Sequence, residues 1–556
     1  MNRTINATQI SDLLAHLSGS EDEALHQLTE EYLKTVDRDD PPGGPEIKDG
    51  MLDMIRTVFE SWNGSCGKGR RFSIPKKLKP FQICSIMLHL YDIKLIDYSD
   101  DGSEDCSALS IYMKSGPYAG IYVNSNKEFD RIICEYDRSI TSEGIKEVKK
   151  RLRPYAEKVG RCPDPDLIAV NNGIFDYNDK KLLPFDPKYV FIAKLAVDYN
   201  ENAKNVVFKA PDGTSWDIES WIEDLFEDEP DLVETAWQVI GACIRPGVDW
   251  ARAAWLISTR GNNGKGTFCQ LIRNIIGPRA STAIRLADFE KDFFLTDLLH
   301  SIAIITDEND VGISIPKCSN LKAVITHDPI MIDRKFQDPV RCRYRGFMIQ
   351  CVNSIPRFKD KTESLYRRML LIPFDKCFTG AERKYIKNDY INKKEVKEYV
   401  LYKVLHMRYY EISEPECCKR MLMQFKGDNE PIREFLEEVL REARIDFLPT
   451  TLLWDLYRQW ITRNAPGTEK MHRNRFYREL RDIIATEYHG WEYDDTVRDV
   501  RRLMEGDEPL LREYNLKEWM DDGHMPGRTP YKNAVKESRL NKKHRGWRRI
   551  EHSQAL

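Results

Sequence analysis

Long apolar segments are missing from this chain. No run of about 18 apolar residues occurs, and the start, MNRTINATQISDLLAHL, lacks the apolar core of a signal peptide. The sequence therefore predicts neither a membrane span nor export, and the expected location is the cytoplasm. Glycine and proline are also few, at 30 and 27 of 556 residues, which excludes collagen-like and low-complexity classes. The chain has the composition and length of a soluble protein of about three to four domains.

Metal-binding cysteine patterns are missing as well. The 13 cysteines are scattered, and Cys417 and Cys418 form the only adjacent pair. No two cysteines or histidines have the short spacing that a local turn of a zinc site uses. The sequence therefore predicts reduced, buried thiols rather than a metal or disulfide framework.

Charge is balanced overall but is uneven along the chain. The 85 Lys and Arg residues nearly cancel 89 Asp and Glu residues, which leaves a formal charge of −4. Residues 217–234 contain nine acidic residues and no Lys or Arg, whereas residues 526–550 contain nine Lys and Arg and one acid. Such segments are usually solvated faces, although a basic segment is also able to hold a polyanion.

The segment between about residues 252 and 374 has the pattern of an α/β core. The runs AAWLI (253–257), IAII (302–305) and FMIQCV (347–352) are short and almost continuously apolar. Such runs are typical of strands that are buried on both faces of a parallel sheet. Upstream, the residues at about 51–199 mix short helical patterns with strand-like runs, including a β-hairpin predicted in LIAVNNGIFDYNDKKLLPF (167–185), and the chain after residue 374 is mostly helical.

The first of these strands leads into a glycine-rich turn and a helix that is predicted to begin near Lys265. Gly261 and Gly264 allow the backbone to curl, so that its N–H groups point inward at phosphate oxygens. The N-terminus of the helix adds partial positive charge, and Lys265 reaches the β and γ phosphates. The turn therefore predicts nucleotide binding.

The turn departs from the G-x-x-x-x-G-K-[ST] pattern at both ends. Thr259 stands in place of the first glycine, and Gly266 stands in place of the hydroxyl residue that binds Mg²⁺. Thr267, one residue further on, is the candidate for that hydroxyl. A plain glycine-rich loop remains the alternative interpretation.

Polar residues follow the later strands in an order that supports nucleotide chemistry. Asp307 and Glu308 follow the second strand, where one carboxylate is expected to hold Mg²⁺ and the other to orient water. Asn353 follows the third strand, and Arg367 and Arg368 precede the strand MLLIPF. Each signal has an ordinary alternative: a strand-end acid pair, a turn residue or surface arginines.

These motifs together resemble the superfamily-3 helicases of phages, plasmids and poxviruses, a branch of the AAA+ ATPases. The resemblance is specific over about residues 255–374, and a weaker resemblance to the domain before the ATPase occurs in CPDPDLIAVNNGIFDYNDKKLLPFDP. The motifs that carry it are GNNGKGTF (261–268), IITDEN (304–309), LKAVITHDPIMIDRKF (321–336), FMIQCVNSIPRF (347–358) and SLYRRMLLIPF (364–374).

The resemblance implies ATP and Mg²⁺ as cofactors and assigns roles by position. Asp307 and Glu308 would be the Walker B pair, Thr267 and Asp307 would hold Mg²⁺, and Asn353 would sense the γ-phosphate. Arg367 or Arg368 would act on the nucleotide of a neighbouring subunit. The phosphate cradle would comprise Gly261, Asn262, Asn263, Gly264, Lys265, Gly266 and Thr267.

The resemblance also implies a DNA-gripping hairpin after Leu321 that projects into the channel of a ring. A solvated basic hairpin is the alternative interpretation. The DNA-binding candidates are Lys322, Arg334, Lys335, Arg341 and Arg343, with Arg345 nearby, and Gln337-Asp338-Pro339 is the expected turn.

The expected fold class is α/β, with an AAA+ P-loop ATPase core at residues 251–380. Upstream we expect a helical appendage (1–36), a linker (37–50), a mixed α+β domain (51–200) and an acidic helical collar (201–250). Downstream we expect a helical connection (381–430) and a winged-helix-like DNA-binding domain with a basic tail (431–556). Too few residues precede the mixed domain for a primase module, so primer synthesis is not expected.

The sequence thus predicts an ATP-dependent DNA helicase in replication initiation of a phage, prophage or plasmid, located in the cytoplasm of a bacterial host cell. The expected partners are single-stranded DNA, origin duplex DNA, a primase or polymerase, and other copies of the chain in a homo-hexamer. An initiator that uses ATP only as an assembly switch is the first alternative. A small-molecule P-loop kinase is the second, and it leaves Asn353 and the two arginines unexplained.

Overall fold

The fold is described from a computed structural model of the chain. Contacts divide it into two compact units: 1–356 with 367–415, and 357–366 with 416–556. Among the described residues, no helix is both long and apolar enough to cross a membrane. The described residues are 14, 20–67, 70–100, 107–227, 229–258, 261–310, 314–335, 337–358, 360, 362–379, 383–429, 431–464, 471–497, 500–521 and 534–550.

The first part of the chain is one mixed α/β domain. Its sheet has the order β3-β2-β1-β4, in which the β1–β4 pair is parallel and the other pairs are antiparallel. Its elements are α1 (Glu21–Leu33), α2 (Gly44–Ser65), α3 (Pro80–Leu90), β1 (Ile93–Asp97), β2 (Ser107–Tyr112), β3 (Tyr122–Val123), α4 (Asn126–Tyr136), α5 (Ser142–Leu152) and β4 (Glu157–Gly160).

Two expectations about this region are wrong. The predicted linker at 37–50 is too long, because α2 already begins at Gly44 with a proline in its first turn, a position that tolerates the missing N–H. The predicted helical appendage at 1–36 is not separate where it is described. Ala24, Leu25 and Leu28 of α1 are buried in the same hydrophobic core as Ile55 of α2.

A second set of short elements connects this domain to the central sheet. The predicted hairpin is an antiparallel meander of three strands, β5-β6-β7, because a third run follows the second turn. The elements are β5 (Leu167–Val170), β6 (Gly173–Asp176), β7 (Lys181–Leu183), β8 (Phe208–Lys209), β9 (Ser215–Trp216), α6 (Ile218–Leu225) and α7 (Pro230–Ile244).

The central sheet confirms the predicted parallel α/β core. Its five strands have the order β11-β12-β16-β10-β18, and every pair is parallel. The three predicted strands are buried at every position, since both faces of the sheet are covered. The elements are β10 (Ala253–Ile257), α8 (Lys265–Ile276), β11 (Ser281–Thr282), β12 (Ala303–Thr306), β16 (Phe347–Val352) and β18 (Met369–Pro373).

An antiparallel hairpin is inserted between β12 and β16. Arg334 pairs with Gln337, so Gln337-Asp338-Pro339 belongs to the second strand of the hairpin and is not the turn that was expected. The pairing between Met331 and Arg341 extends the ladder beyond that pair. The elements of this region are β13 (Ser314–Ile315), α9 (Ser319–Ile325), β14 (Pro329–Arg334) and β15 (Gln337–Arg343), and α11 (Lys384–Asn388) and α12 (Lys394–His406) follow the sheet.

The second unit begins earlier than the predicted boundary at 431. Phe425 packs edge-on against Phe358 and Tyr366, which joins residues 357–366 to the C-terminal part of the chain. Its sheet has the order β19-β21-β20. The elements are β17 (Arg357–Phe358), α10 (Glu363–Tyr366), α13 (Glu416–Asn429), α14 (Pro431–Glu442), β19 (Phe447–Pro449), α15 (Thr450–Asn464), α16 (Arg473–Glu487), β20 (Trp491–Val497), α17 (Arg501–Met504), α18 (Pro509–Glu513), α19 (Glu537–Leu540) and β21 (His544–Arg549).

Candidate nucleotide site and basic hairpin

The glycine-rich turn joins the end of β10 to the start of α8, and its backbone requires glycine at one position. Gly264 has φ 85°, and a Cβ there would lie 2.4 Å from Leu225 Cδ2. Asn262 also has a positive φ of 53°. The Asn263 side chain accepts a hydrogen bond from the backbone N–H of Lys265 at 3.2 Å. Thr259 lies outside the described residues. Two of the four positions in the described turn 261–264 are thus left-handed, as in loops that bind anions through backbone N–H groups.

Lys265 is buried at the start of α8, with 6% of its surface exposed. Its Nζ donates to the carbonyls of Ser258 and Val352 at 3.4 and 3.3 Å and to Asn353 Oδ1 at 3.1 Å. Burial lowers the pKa of Lys265, because desolvation disfavours its charged form. The lysine therefore connects the glycine-rich turn with the end of β16.

Asp307 and Glu308 follow β12 directly, and both are exposed. Arg273 on α8 donates to Asp307 Oδ2 at 2.7 Å and to the carbonyl of Ile305 at 2.8 Å. This contact raises the pKa of Arg273 despite the opposing effect of burial. Arg273 was not among the sequence candidates, although its spacing of eight residues from Lys265 puts both on one helical face.

A pair of buried cysteines lies beside this acid. The Sγ atoms of Cys269 on α8 and Cys351 on β16 are 3.4 Å apart, and both thiols are free. The Cys351 contact and burial raise the pKa of Cys269 well above its usual value. The two sulfur atoms and an Asp307 oxygen lie within 4.8 Å of one another. The burial predicted for the cysteines is confirmed for this pair.

A cavity of about 710 Å³ opens beside the glycine-rich turn and is lined by Asn262, Gly264 and Thr267. This volume is in the range of cavities that hold small molecules. The other walls come from two segments that sequence reasoning missed, 215–225 and 376–388. They contribute the aromatic rings of Trp216, Trp221 and Phe378 and the basic residues Lys376, Arg383, Lys384 and Lys387.

The second segment is held against the turn by its backbone. The N–H of Phe378 donates to the carbonyl of Asn262 at 2.8 Å, and Lys376 forms an ion pair with Asp224. Gly266 lies close to a cation, since a Cβ there would be 3.7 Å from Lys387 Nζ. The walls of this cavity come from segments that are far apart in the sequence. No local sequence signal therefore identifies it.

Thr267 and Asp307, the residues expected to hold magnesium, each offer an oxygen ligand. A hydroxyl and a carboxylate oxygen are the hard ligands that Mg²⁺ prefers, together with substrate phosphates. Thr267 lines the cavity, and Asp307 uses Oδ2 for its contact with Arg273. The sulfur atoms of Cys269 and Cys351 are too soft for this ion and do not belong to its ligand set.

The remaining candidates differ in exposure. Asn353 is exposed and meets Lys265 at the end of β16. Arg367 is exposed, whereas Arg368 is 8% exposed and its Nε is buried. The carbonyl of Arg368 accepts a hydrogen bond from Ala253 N at 2.8 Å, so this residue is part of the sheet edge. Exposure therefore favours Arg367 over Arg368 as a group that reaches another chain.

The DNA-binding candidates in the hairpin and on the helix before it also differ in exposure. Lys335 in the turn and Arg341 on β15 are exposed, and Lys322 and Arg334 are half-buried. Arg343 lies at the base, where its Nε is buried and its carbonyl accepts a hydrogen bond from Arg161 at 2.7 Å. The tip of the hairpin is therefore more accessible than its base.

Arg345 lies at the base of the hairpin and is packed against other residues there. Its Nε lies 2.8 Å from Asp100 Oδ2, and its Nη1 donates to the carbonyl of Cys162 at 2.9 Å. Burial lowers the pKa of Arg345. These contacts assign it to packing against the upstream domain.

Three segments of the chain match known families. Residues 256–368 match a family of unknown function (DUF5906), residues 122–227 match a family described as D5 N terminal like, and residues 427–522 match one described as Poxvirus D5 protein-like. The last two agree with the poxvirus branch of the resemblance seen in the motifs. A comparison with curated proteins finds no match.

Solved structures of the C-terminal region of NrS-1 are also similar. Its A form apo structure has 13% sequence identity, covers 85% of this chain and 100% of that chain, and gives a TM-score of 0.42. A further apo structure of the region has the same identity and coverage with a TM-score of 0.40.

Proposed function

We propose that this protein is an ATP-dependent DNA helicase that acts in replication initiation of a phage, prophage or plasmid and assembles as a ring. The observation that carries the proposal is the meeting of three motifs at one edge of the parallel sheet. Lys265 Nζ lies 3.1 Å from Asn353 Oδ1, and Asp307 and Glu308 follow the adjacent strand β12. Ligands of open parallel sheets bind at the carboxyl ends of the strands.

In the proposed reaction, the phosphates of ATP lie against the N–H groups of 261–267 and the ammonium group of Lys265. The base would occupy the adjoining cavity, where the half-buried Phe378 ring supplies a stacking surface, whereas Trp216 and Trp221 are 4% and 6% exposed. Glu308 would orient the attacking water, and Asn353 would contact the γ-phosphate. Mg²⁺, held by Thr267 and Asp307, would neutralise developing phosphate charge.

A second chain is proposed to complete the site. Arg367 is exposed, so it is the better candidate for an arginine that stabilises the transition state on a neighbouring subunit's nucleotide. Arginines in this role raise the rate by about 10³–10⁵. A site that is shared in this way couples hydrolysis to movement between subunits, and we propose a homo-hexameric ring.

The hairpin β14–β15 is proposed to grip one DNA strand. Lys335 and Arg341 are exposed on it, Arg334 is half-buried at the end of β14, and Lys322 lies on the preceding helix α9. Arg343 is the weaker candidate of the five, because its Nε is buried. In the second unit, the order α14, β19, α15, α16, β20, β21, with α17, α18 and α19 inserted before β21, supports a winged-helix-like DNA-binding domain. Arg473, Arg475, Arg478 and Arg481 are exposed on α16.

The predicted basic tail at 526–550 falls partly outside the described residues, at 526–533, so it stays a prediction. The family matches to D5-like segments support a role in replication, and the proposed location remains the host cytoplasm. A primase or polymerase partner is proposed on the same basis.

Strand displacement tests the proposal against its alternatives. Wild-type protein with ATP is expected to unwind a forked duplex. The Lys265→Ala variant is expected neither to unwind the duplex nor to hydrolyse ATP. Hydrolysis that DNA stimulates without strand displacement would favour the initiator that uses ATP as a switch. Hydrolysis that is indifferent to DNA would favour a small-molecule kinase.

A further inference from the structure

A second large cavity lies in the first unit, apart from the nucleotide site. Its volume is about 1060 Å³, at the upper end of the range for small-molecule cavities, so it has room for more than one nucleotide. One wall comes from the upstream domain, at Asn124, Asn126 and the end of α5. The opposite wall comes from residues 276–280 after α8 and from the tip of the hairpin β14–β15. We call this cavity the basic cleft.

The charge of the basic cleft has one sign. None of the described residues that line it is Asp or Glu. Such a surface attracts phosphates and repels other cations. Six basic side chains line it: Lys149, Arg153, Lys194, Arg279, Arg334 and Lys335.

Internal contacts neutralise only part of this charge. Lys149 forms an ion pair with Asp130 at 2.6 Å, so its charge is already compensated. Arg279 lies over the Tyr118 ring at 4.5 Å, a contact that leaves its charge in place. Burial and nearby Arg279 lower the pKa of Lys194, and Asp198 acts in the opposite direction. The proximity of Lys194 and Arg279 is a repulsion that a bound anion would relieve.

An aromatic ring stands at the rim in an unusual conformation. Phe293 lines the cleft with 47% of its surface exposed and has φ 68°, which is rare for a bulky residue. The Thr296 hydroxyl holds this turn, since it donates to the carbonyls of Phe293 at 2.9 Å and Asp333 at 3.2 Å. Phe293 is therefore fixed beside β14 with its ring available for stacking.

From these features we infer that the basic cleft binds a segment of single-stranded DNA, with its phosphates on Arg153, Lys194 and Arg279 and a base on Phe293. Cationic grooves combined with aromatic platforms are the usual means by which proteins hold single strands. This inference rests on the proposed function and extends it, because the cleft continues from the hairpin tip onto the upstream domain. The strand gripped by the hairpin would thus follow a defined path across a second domain.

The test is oligonucleotide affinity in the absence of ATP, measured by fluorescence anisotropy with an oligothymidylate of about 16 nucleotides. The double variant Arg153→Glu/Arg279→Glu is expected to bind at least about tenfold more weakly. The slope of log affinity against log salt should become shallower by about 1.4, since each lost phosphate contact on single strands accounts for about 0.7. Phe293→Ala should weaken binding by about tenfold, which is typical of one stacked base.

The matched control is Lys150→Glu/Lys181→Glu, which changes net charge equally at exposed positions that do not line the cleft. It should bind like the wild type. Thermal unfolding checks that each variant is folded, and Arg153→Ala/Arg279→Ala replaces the Glu pair if that pair is unfolded.

Wild-type affinity in the folded cleft variants would overturn the inference. Binding of dTTP that the cleft variants abolish, with their oligonucleotide affinity unchanged, would overturn it in favour of a mononucleotide site. Since ATP is absent, a failure of hydrolysis or unwinding would contradict the proposed function and leave this test intact.

Discussion

At the scale of a single residue, the burial of Lys265 alters the pH range over which its side chain is charged. Its pKa is lowered because the ammonium group is desolvated, so it loses its proton at a lower pH than an exposed lysine does. Phosphate binding requires the protonated form. We therefore expect ATP affinity to fall as pH rises, at a lower pH than the ordinary lysine pKa of about 10.4.

The measurement is a titration of ATP dissociation constants between about pH 7 and pH 10. Lys265→Arg is the control, because a guanidinium group stays protonated over this range and its affinity should change little. If wild-type affinity were flat to the alkaline end, Lys265 would not be the phosphate-binding cation.

Arg273 forms an ion pair with Asp307 at 2.7 Å, and this contact orients the carboxylate. Arg273→Ala would remove the contact that orients Asp307 while the carboxylate remains. We expect ATP hydrolysis to fall by about tenfold or more, in line with the effect of outer contacts on metal affinity. Added Mg²⁺ should partly restore the rate.

Arg252→Ala is the matched control, since its ion pair with Glu414 lies outside the site. Equal rates for the two variants would show that orientation of Asp307 has no role.

At the scale of elements, the hairpin β14–β15 is the part most directly tied to DNA. Lys335→Ala should reduce the salt dependence of single-strand affinity by about 0.7 in slope and should slow unwinding, because one phosphate contact is lost. Lys181→Ala, at an exposed position on β7, serves as the comparison. Unchanged affinity and unwinding in the Lys335→Ala protein would remove this residue from the strand-gripping role.

A buried carboxylate joins elements of the second unit. Glu508 is fully buried, and its oxygens accept from the backbone N–H groups of Arg444 at 2.8 Å, Ile445 at 3.0 Å and Leu510 at 3.3 Å. Glu508→Ala leaves three N–H groups without an acceptor, so we expect a loss of about 3 kcal/mol or more in unfolding free energy. Urea denaturation measures this loss. Glu513→Ala, which removes only an exposed contact with Arg463, should cost under about 1 kcal/mol.

Elements differ in how far the sequence predicts them. The strands β10, β12 and β16 were predictable because strands buried on both faces leave uninterrupted apolar runs. The start of α8 at Lys265 was predictable from the glycines before it. The cavity walls at 215–225 and 376–388 were not, since they are far apart in sequence and meet only in the fold. The N-terminal linker was overestimated, because a proline that reads as a breaker also starts helices.

At the scale of the whole molecule, we propose that each catalytic site contains residues from two chains. Lys265→Ala and Arg367→Ala proteins should each be inactive alone. A mixture should recover part of the ATP hydrolysis, because some interfaces then combine an intact Lys265 with an intact Arg367 from the neighbour. Arg368→Ala should not be rescued in this way, since its side chain is buried in its own chain. A mixture of the first two variants that stayed inactive would place Arg367 outside the shared site.

The central claim is that nucleotide is hydrolysed at an interface between copies of the chain that enclose DNA. The most direct measurement is the rate of ATP hydrolysis per chain over a wide range of protein concentration, with and without single-stranded DNA, and with sedimentation of the same samples. We expect the rate per chain to rise as assemblies form and to rise further with DNA. A constant rate per chain in samples that sediment as monomers, unaffected by DNA, would contradict it.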